Sequence, residues 1–334
     1  MSVMSLYKNC VLCPRHCGAD RETGTVGYCG ETSVLRLAYA GIHRGEEPPI
    51  TGRGGSGTIF VSGCNLGCAF CQNFQISHGK PLSNRKPLSQ KGIDSQALGR
   101  AVSTGEFAEI CLALQKQGAE NINIVTGSHA APTLALGIEA ARKNGLVIPV
   151  LWNSSGYEGM ETLEILSGFV DVYLPDLKTM DSNFAARYFN APDYPENAAR
   201  AILKMMEYRK LQFQNDTMVS GVMVRHLIIP GHLEMTRQVL KWFSEKCKLS
   251  LWDSSRALLS LMTQYTPVQT LNNKTEIPGD FVSAKEYEEV LSMLNEFGID
   301  DGYCQELVTG SDWLPDFTKP NPFSSELSRT VWHY

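Results

Sequence analysis

The sequence predicts an α/β protein built as a partial (β/α)6 barrel, with a small Cys-rich extension before the barrel and a tail after it. Six short apolar runs alternate with segments of helical periodicity. Strands without polar alternation are typical of a parallel sheet that is covered on both faces. The unusual polar motifs follow these apolar runs directly, and ligands of such folds bind where the strands end.

The predicted barrel occupies residues 55–270. Its strands are short, mostly apolar runs over 58–61, 121–125, 147–152, 170–174, 222–229 and 258–265. Apolar residues at helical spacing predict helices over 104–117, 132–145, 181–189, 196–209 and 233–247. Residues 1–50 form the predicted extension and residues 271–334 the tail. In the tail, Ser283 and Glu286 predict a capping box that opens a helix to about residue 297.

Composition narrows the class of protein. The chain has 334 residues, 43% of them hydrophobic and 19% charged, so it can bury a sizeable core. A net charge of −5 without a basic run argues against a nucleic-acid partner. The start of the chain lacks the apolar core of a signal peptide, and no apolar run approaches the roughly 18 residues that span a bilayer. We therefore expect a cytoplasmic protein without a membrane partner, and a count of ten cysteines in a reducing compartment argues for metal ligands rather than disulfides.

Cys64, Cys68 and Cys71 follow the first predicted strand with the spacing Cys-x3-Cys-x2-Cys. Three thiolates on one loop can each bind one iron of a [4Fe–4S] cluster and leave the fourth iron open to an external ligand. Gly63 and Gly67 would let the backbone wrap closely around such a cluster. Buried free cysteines, a zinc site and a plain ferredoxin cluster are the less favoured alternatives.

A second group of cysteines lies in the extension, with the spacing x2, x3 and x11: Cys10, Cys13, Cys17 and Cys29. Four thiolates can bind zinc tetrahedrally or hold a second iron–sulfur cluster. A metal or cluster is favoured over free thiols, but the spacing does not choose between zinc and iron–sulfur. A site with four protein ligands would be closed, so its role would be structural or electron transfer.

The segment TIFVSGCNLGCAFCQNFQIS, residues 58–77, resembles the cluster segment of the pyruvate formate-lyase activating enzyme family, within the radical S-adenosylmethionine (SAM) superfamily. The whole chain resembles a group of homologues that carry a Cys-rich stretch like CVLCPRHCGADRETGTVGYCG, residues 10–30. The resemblance implies SAM on the open iron, reductive cleavage of SAM to a 5′-deoxyadenosyl radical, and hydrogen abstraction from a substrate. It also implies a protein substrate, such as a glycyl-radical enzyme, and a flavodoxin- or ferredoxin-type electron donor.

Polar residues that follow the later strands are the candidates for SAM binding. Family members often carry Gly-Gly-Glu-Pro after the second strand, and this chain instead has a turn with one glycine and no acid. Its backbone carbonyls could still bind the SAM amino group. By the resemblance, an Asp-x-Lys pair after the fourth strand would face SAM. The candidates from these motifs are Thr126, Gly127, Ser128, Asn153, Ser154, Asp176 and Lys178.

Arg225 and His226 lie within the fifth predicted strand. A buried arginine requires a partner, which would be either a carboxylate of SAM or substrate, or an internal aspartate. His226 would either contact the adenosine or be a satisfied core residue. Cys304, in the tail, is the candidate catalytic residue as a radical-relay thiol. The alternative functions are an iron–sulfur electron-transfer protein without SAM chemistry and a zinc-stabilised binding protein.

Overall fold

A computed structural model describes residues 3–77, 97–248, 253–268 and 275–334. Its strands, numbered along the chain, are β1 (Arg36–His43), β2 (Ser56–Val61), β3 (Arg100–Ala101), β4 (Ile122–Val125), β5 (Val150–Ser154), β6 (Val172–Pro175), β7 (Gln212–Gln214), β8 (Thr217–Leu227), β9 (Leu258–Met262), β10 (Gly302–Cys304) and β11 (Ser328–His333). Its α-helices are α1 (Pro48–Thr51), α2 (Phe74–Ser77), α3 (Thr104–Lys116), α4 (Ala131–Lys143), α5 (Met160–Leu166), α6 (Ser182–Phe189), α7 (Tyr194–Tyr208), α8 (Leu233–Lys246) and α9 (Ala284–Glu296).

One large sheet organises these elements. Its main path runs β10-β9-β8-β6-β5-β4-β2-β1-β11, with β3 beside β1 and β7 beside β8. Neighbours along the path from β2 to β10 are parallel, whereas β1 pairs antiparallel with both β2 and β11. The two end strands, β10 and β11, do not pair with each other, so the sheet stays open. The predicted α/β class and open, partial barrel of parallel strands are confirmed.

Local sequence explains why the predicted units form. Every residue of β4 and β6 is buried, as expected for apolar strands that are covered on both faces. The helix α3 begins after Ser103, whose side chain accepts a hydrogen bond from the Glu106 N–H. The helix α9 begins with the predicted capping box of Ser283 and Glu286. Within the described ranges, no helix is both long and apolar enough to cross a membrane.

The sheet also contains strands that the sequence did not predict. β1 lies within residues 1–50, and β10 and β11 lie within residues 271–334. Gly41 interrupts the apolar run of β1, and β11 is partly exposed, so neither strand has a strong local signal. The short helix α5 was also missed. The division of the chain into an extension, a barrel and a tail stays a prediction.

Alternate residues of the parallel strands face an inner side of the sheet, which we call the lumen. The short helix α1 lies in the lumen, where Ile50 belongs to a buried apolar cluster with Leu151, Val172, Leu174, Met223 and Leu258. Polar residues come next on the same face of several of these strands, because Asn153, Arg225 and Ser260 lie two positions after Leu151, Met223 and Leu258. The polar part of the lumen therefore lies between the apolar cluster and the carboxyl ends of the strands, which we call the rim.

The tail packs against the β2 side of the sheet. The rings of Phe317 and Phe323 lie 5.1 and 5.6 Å from the ring of Phe60 in β2, measured between centroids. Gln75, in α2, donates to Asp316 Oδ1 at 3.2 Å and accepts from the Phe317 N–H at 2.8 Å. The tail is therefore attached to the helix that directly follows Cys64, Cys68 and Cys71.

Candidate active site

The loop that joins β2 to α2, residues 62–73, carries the three predicted cluster ligands, and we call it the cluster loop. Gly63 and Gly67 both have a φ of 87°, in the left-handed region that glycine tolerates best. A Cβ atom on Gly63 would lie 2.5 Å from Glu31 Cγ and 3.0 Å from Cys29 O. The cluster loop therefore turns tightly and packs directly against the Cys-rich extension.

Hydrogen bonds attach the cluster loop to other parts of the rim. Asn65 Nδ2 donates to Tyr157 O, which follows β5, at 2.6 Å. Gln72 Nε2 donates to Gln264 O, which follows β9, also at 2.6 Å. Phe70, beside the last cysteine, packs against a group of aromatic rings from α6 and the β9 end: Phe184, Tyr188, Phe189 and Tyr265. The loop thus spans the rim from the middle of the sheet to β9.

The donor set of the cluster loop fits a [4Fe–4S] cluster. Cys64 Sγ accepts from the Leu66 N–H at 3.4 Å, and Cys71 Sγ lies 3.5 Å from Ser77 Oγ. Burial raises the pKa of Cys71 to about 11 and also raises the pKa of Cys68. Metal binding would therefore have to displace protons from these thiols. No three His, Cys, Asp or Glu side chains of the described residues are close enough to share a single metal ion, but in a cubane cluster each thiolate binds a different iron.

Asp176 and Lys178 form an ion pair at the end of β6, with Lys178 Nζ 2.5 Å from Asp176 Oδ2. The side chains are 20% and 18% exposed, respectively. Although burial opposes it, the charges of Asp176 and Cys68 raise the pKa of Lys178, which places this pair beside the cluster loop. The Tyr194 hydroxyl accepts from the Lys178 N–H and donates to Asp176 O, each at 2.9 Å. The two charges are therefore fixed at the rim by the backbone between them.

The turn after β4 replaces the Gly-Gly-Glu-Pro motif. Thr126 has a φ of 62°, which is unusual and strained for a β-branched residue. Its N–H donates to Asn153 O at 2.9 Å, and Asn153 lies on the lumen face of β5. A Cβ on Gly127 would lie 2.6 Å from the Trp152 ring. The backbone of this turn is thus close to the ends of β4 and β5.

Ser128 and Ser154 point away from the rim, toward a buried acid that the sequence analysis missed. Ser128 Oγ donates to Glu158 Oε1 at 2.6 Å, and Trp152 Nε1 lies 3.3 Å from the same oxygen. Ser154 is 3% exposed and its Oγ accepts from the Gly156 N–H. Burial raises the pKa of Glu158. The side chains of Ser128 and Ser154 belong to the buried network around this acid, and their part in SAM binding stays a prediction.

Arg225 finds its partners inside the protein. Its Nη2 lies 2.6 Å from Glu46 Oε2, and its Nε donates to Glu47 Oε1 at 2.9 Å, with a second contact between Nη2 and Glu47 Oε2. Asn123 Nδ2 donates to Glu46 Oε1 at 3.1 Å. Burial opposes the ionised form of Glu47, but the Arg225 charge outweighs it and keeps the pKa of Glu47 low. The structure therefore shows the internal alternative, with two glutamates in place of an aspartate, and a contact between Arg225 and a carboxylate of SAM or substrate stays a prediction.

His226 is a satisfied core residue, and a contact between its side chain and SAM stays a prediction. The side chain is fully buried. Its Nδ1 lies 2.7 Å from Leu177 O and its Nε2 lies 3.0 Å from Thr236 Oγ1 in α8. Burial lowers the pKa of His226 to about 4, so the ring is neutral near pH 7. Because Leu177 separates Asp176 from Lys178, this ring fixes the backbone that presents the ion pair.

Cys304 lies in β10 and is exposed. Its neighbour Tyr303 faces the lumen cluster, so strand alternation places Cys304 on the opposite face. There its Sγ lies 3.8 Å from the Tyr287 hydroxyl of α9. The structure does not bring this thiol to the rim, and its role as a radical relay stays a prediction.

The four cysteines of the extension, Cys10, Cys13, Cys17 and Cys29, form the N-terminal set, which packs directly against the cluster loop. Cys29 O accepts a hydrogen bond from the Cys64 N–H at 3.2 Å. Arg15 donates to Asn65 O at 3.0 Å and to Leu66 O at 2.7 Å. Sequence reasoning missed these contacts because carbonyl acceptors leave no signal in the sequence.

Two sequence comparisons place the chain among known proteins. Residues 58–242 match the model of the radical SAM superfamily. Over 299 residues the chain is 27% identical to an uncharacterised protein of Methanocaldococcus jannaschii, a match that covers 89% of this chain and 77% of that protein. The relative carries no described activity, so it adds nothing about the substrate.

Solved structures show more distant similarity. A domain of a pyruvate formate-lyase activating enzyme from Bacteroides vulgatus is 15% identical, with 53% of this chain and 91% of that chain covered and a TM-score of 0.35. SuiB of Streptococcus suis bound to SAM is 13% identical, and the match covers 73% of this chain and 45% of SuiB with a TM-score of 0.44. QueE of Escherichia coli is 13% identical, and the match covers 83% of this chain and 96% of QueE with a TM-score of 0.39. These scores are too low to support a statement about substrate.

The family model covers more than half of the chain, including β2, the cluster loop and the strands through β8. The open sheet of parallel strands agrees with it. The protein therefore belongs to the radical SAM superfamily and is an enzyme whose cofactors are a [4Fe–4S] cluster and SAM.

Proposed function

We propose that this protein is an activating enzyme that removes a hydrogen atom from a glycine of a partner protein. The cluster and SAM, when bound, supply a one-electron cleavage of SAM to methionine and a 5′-deoxyadenosyl radical. Cys64, Cys68 and Cys71 would bind the cluster. A flavodoxin- or ferredoxin-type protein would deliver the electron. The protein substrate is supported by the resemblance of residues 58–77 to the activating enzymes.

The observation that carries the proposal is the ion pair of Asp176 and Lys178 next to Cys68. A SAM molecule bound through its methionine end presents an ammonium, a carboxylate and a sulfonium, so both signs of charge on the protein have a partner. Charges held in fixed positions orient a ligand without the cost of reorganising at the moment of reaction. Asp176 would face the ammonium or sulfonium, and Lys178 the carboxylate.

Other groups of the rim would support this binding. The backbone of Thr126 and Gly127 lies beside Asn153, and its carbonyl groups would accept from the SAM ammonium. His226 would act as a positioning residue, because it fixes Leu177 O between the two charges. The aromatic rings around Phe70 would exclude water from the reacting atoms.

An anaerobic assay tests the proposal in two steps. Reduced protein with SAM should form 5′-deoxyadenosine, and Asp176→Asn should weaken SAM binding at least about tenfold, since hydrogen bonds to charged groups contribute about 1.5–3 kcal/mol. Addition of the glycyl-radical enzymes of the same organism should then produce a glycyl doublet in the EPR spectrum. If SAM is not cleaved, the assignment of the cluster loop is wrong. If SAM is cleaved but no partner acquires the doublet, the protein acts on another substrate.

A further inference from the structure

The four thiols of the N-terminal set lie near one another in the extension, although no three of them are close enough to share a single metal ion. Cys17 packs against the buried group that contains Cys10. The thiol of Cys13 lies close enough to Cys17 and Cys29 for their charges to interact, and Cys29 interacts with Cys17. Backbone hydrogen bonds support the arrangement, because the Gly18 N–H donates to Cys10 O and the Cys10 N–H donates to Ala19 O, each at 3.1 Å. Residues separated by up to 19 positions in sequence are thus brought to one place.

A buried positive charge lies beside these thiols. Arg21 is 1% exposed, and its Nη1 is 3.6 Å from Cys10 Sγ. Its remaining hydrogen bonds go to backbone carbonyls, those of Glu31, Thr32 and His129. A buried guanidinium is costly unless negative charge is near it. Four thiolates on a [4Fe–4S]²⁺ core carry a net charge of about −2, which is the compensation that Arg21 requires.

The N-terminal set is joined to the cluster loop by backbone and side-chain contacts. Cys29, one of the four, accepts at its carbonyl from the Cys64 N–H. Arg15 lies between Cys13 and Cys17 in sequence, and its guanidinium stacks 4.0 Å above the Tyr28 ring. From there it reaches the carbonyls of the cluster loop and of the α6 end, Asn65, Leu66, Phe189 and Asn190.

We propose that the N-terminal set binds a second [4Fe–4S] cluster, in which each thiolate binds a different iron, and that this centre positions Arg15 and Cys29 against the cluster loop. The loop from Cys10 to Glu31 has few apolar residues to order it, so four metal–thiolate bonds would supply the order. Once ordered, Arg15 and Cys29 O define where Cys64 and its neighbours can lie. The centre is closed, because all four of its positions are filled by protein, and its action on the first cluster is one of positioning. The inference does not depend on which substrate the radical attacks.

Metal content tests the site itself. A full-length variant with Cys64→Ala, Cys68→Ala and Cys71→Ala lacks the first cluster, so any centre that it retains belongs to the N-terminal set. After anaerobic reconstitution we expect four iron and four sulfide per chain, whereas one zinc per chain without iron would overturn the assignment of a cluster. Adding Cys10→Ser and Cys13→Ser should lower that content at least tenfold. A triple variant that is folded by circular dichroism but holds less than a tenth of a centre per chain would overturn the proposal.

Should the triple variant fail to fold, the wild-type chain gives the same answer. Total zinc, iron and sulfide per chain are compared between wild type and the Cys10→Ser, Cys13→Ser double variant. The proposal requires the loss of one whole centre in the double variant. Equal metal content in the two proteins would overturn it.

Arg15 variants test the positioning role. Arg15→Gln removes the contacts to Asn65 and Leu66 without touching a thiol, and exposed Arg53 provides the matched control, Arg53→Gln. We expect Arg15→Gln to retain the N-terminal metal, to change the EPR spectrum of the SAM-bound reduced first cluster, and to lower SAM cleavage at least threefold. Arg15→Lys should restore part of that rate. If Arg15→Gln and Arg53→Gln give the same spectrum and rate, the positioning role is wrong.

Discussion

The cluster loop and the N-terminal set lie against each other, yet they differ in ligand number and in surroundings. The cluster loop presents three cysteines from one turn of chain at the rim, beside the ion pair of Asp176 and Lys178. The N-terminal set presents four cysteines from a longer stretch, beside the buried cation of Arg21. Three ligands leave an iron for SAM, whereas four leave no free position. Under the two proposals, the neighbouring charges match the ligand number: an ion pair that would bind zwitterionic SAM lies at the open site, and one cation that would compensate the thiolates lies at the closed site.

Removing one cluster-loop ligand should have the largest effect. We expect Cys68→Ala to lower the rate of 5′-deoxyadenosine formation at least about a thousandfold, because the cluster loses one of its three ligands. The metal of the N-terminal set should remain. Chromatography of reaction products and metal analysis measure both. Cys304→Ala, which alters an exposed thiol on the far face of β10, is the control and should keep its turnover. A Cys68→Ala protein that still cleaves SAM would show that the two sets have been assigned the wrong way round.

Replacing Arg21 and Arg225 tests whether a buried arginine compensates the charge of the N-terminal thiolates or only stabilises the fold. Arg21→Met and Arg225→Met should each lower the free energy of unfolding by about 3–5 kcal/mol, because each leaves buried partners unsatisfied. Only Arg21→Met should also lower metal occupancy of the N-terminal set. Urea denaturation and zinc and iron analysis on both variants decide this. Equal metal content in the two would mean that Arg21 does not serve the cysteines.

Acid should destabilise the fold through two buried histidines. Burial, and near His129 the Arg21 charge, lower the pKa of His226 to about 4 and of His129 to about 3. The unfolded chain binds a proton at each ring below about pH 6.5, whereas the folded chain does not. The free energy of unfolding should therefore fall as the pH decreases from about 6.5 toward 4, by about 3 kcal/mol for His226 alone.

His129 and His226 also differ in position, since only His129 lies at the contact between the cluster loop and the extension. His129 Nε2 lies 2.8 Å from Ser62 O, at the contact between the cluster loop and the extension, whereas His226 lies behind the ion pair. Both His129→Gln and His226→Gln should flatten the pH dependence in anaerobic urea titrations from pH 7.5 to 5. Only His129→Gln should change metal retention in the N-terminal set. A stability that does not vary over this pH range would refute the linkage.

The smallest effect is expected at Thr126. Its left-handed backbone costs on the order of 1 kcal/mol for a β-branched residue. Thr126→Asn, whose side chain tolerates that conformation, should raise the free energy of unfolding by about 0.5–1 kcal/mol. Thr126→Ala stays strained and serves as the control. If SAM is bound by the backbone of this turn, its Kd should change less than threefold in both variants, and a tenfold weakening would assign the contact to the threonine side chain.

The sequence predicts those helices and strands whose pattern of residues lies within one short stretch of the chain. The apolar runs give the parallel strands, and Ser283 and Glu286 give the start of α9. β11 was missed because its stability comes from pairing with β1, as between Tyr39 and His333, across most of the chain, and β1 was missed because Gly41 interrupts its apolar run. No window of sequence contains both partners, and each strand alone is a poor apolar run.

The site divides in the same way. The spacing of Cys64, Cys68 and Cys71 lies within eight residues and is legible in the sequence. The sequence also shows that Arg225 requires a partner. It does not show which residue that partner is, because Glu47 is 178 residues away along the chain. The contacts of Arg15 are with backbone carbonyls, which every residue possesses. Only the folded chain shows which of these carbonyls it meets.

The pairing of β1 with β11 has a consequence for how the protein is made. At about 5–20 residues per second, a ribosome needs on the order of 15–60 s to proceed from β1 to the end of β11. Throughout that time the nascent chain would present the edge of β1, next to the strand that leads into the cluster loop, as an unpaired template for other chains. We expect the newly made protein to depend on chaperones during this interval, and chains that end before Ser328 to aggregate through β1.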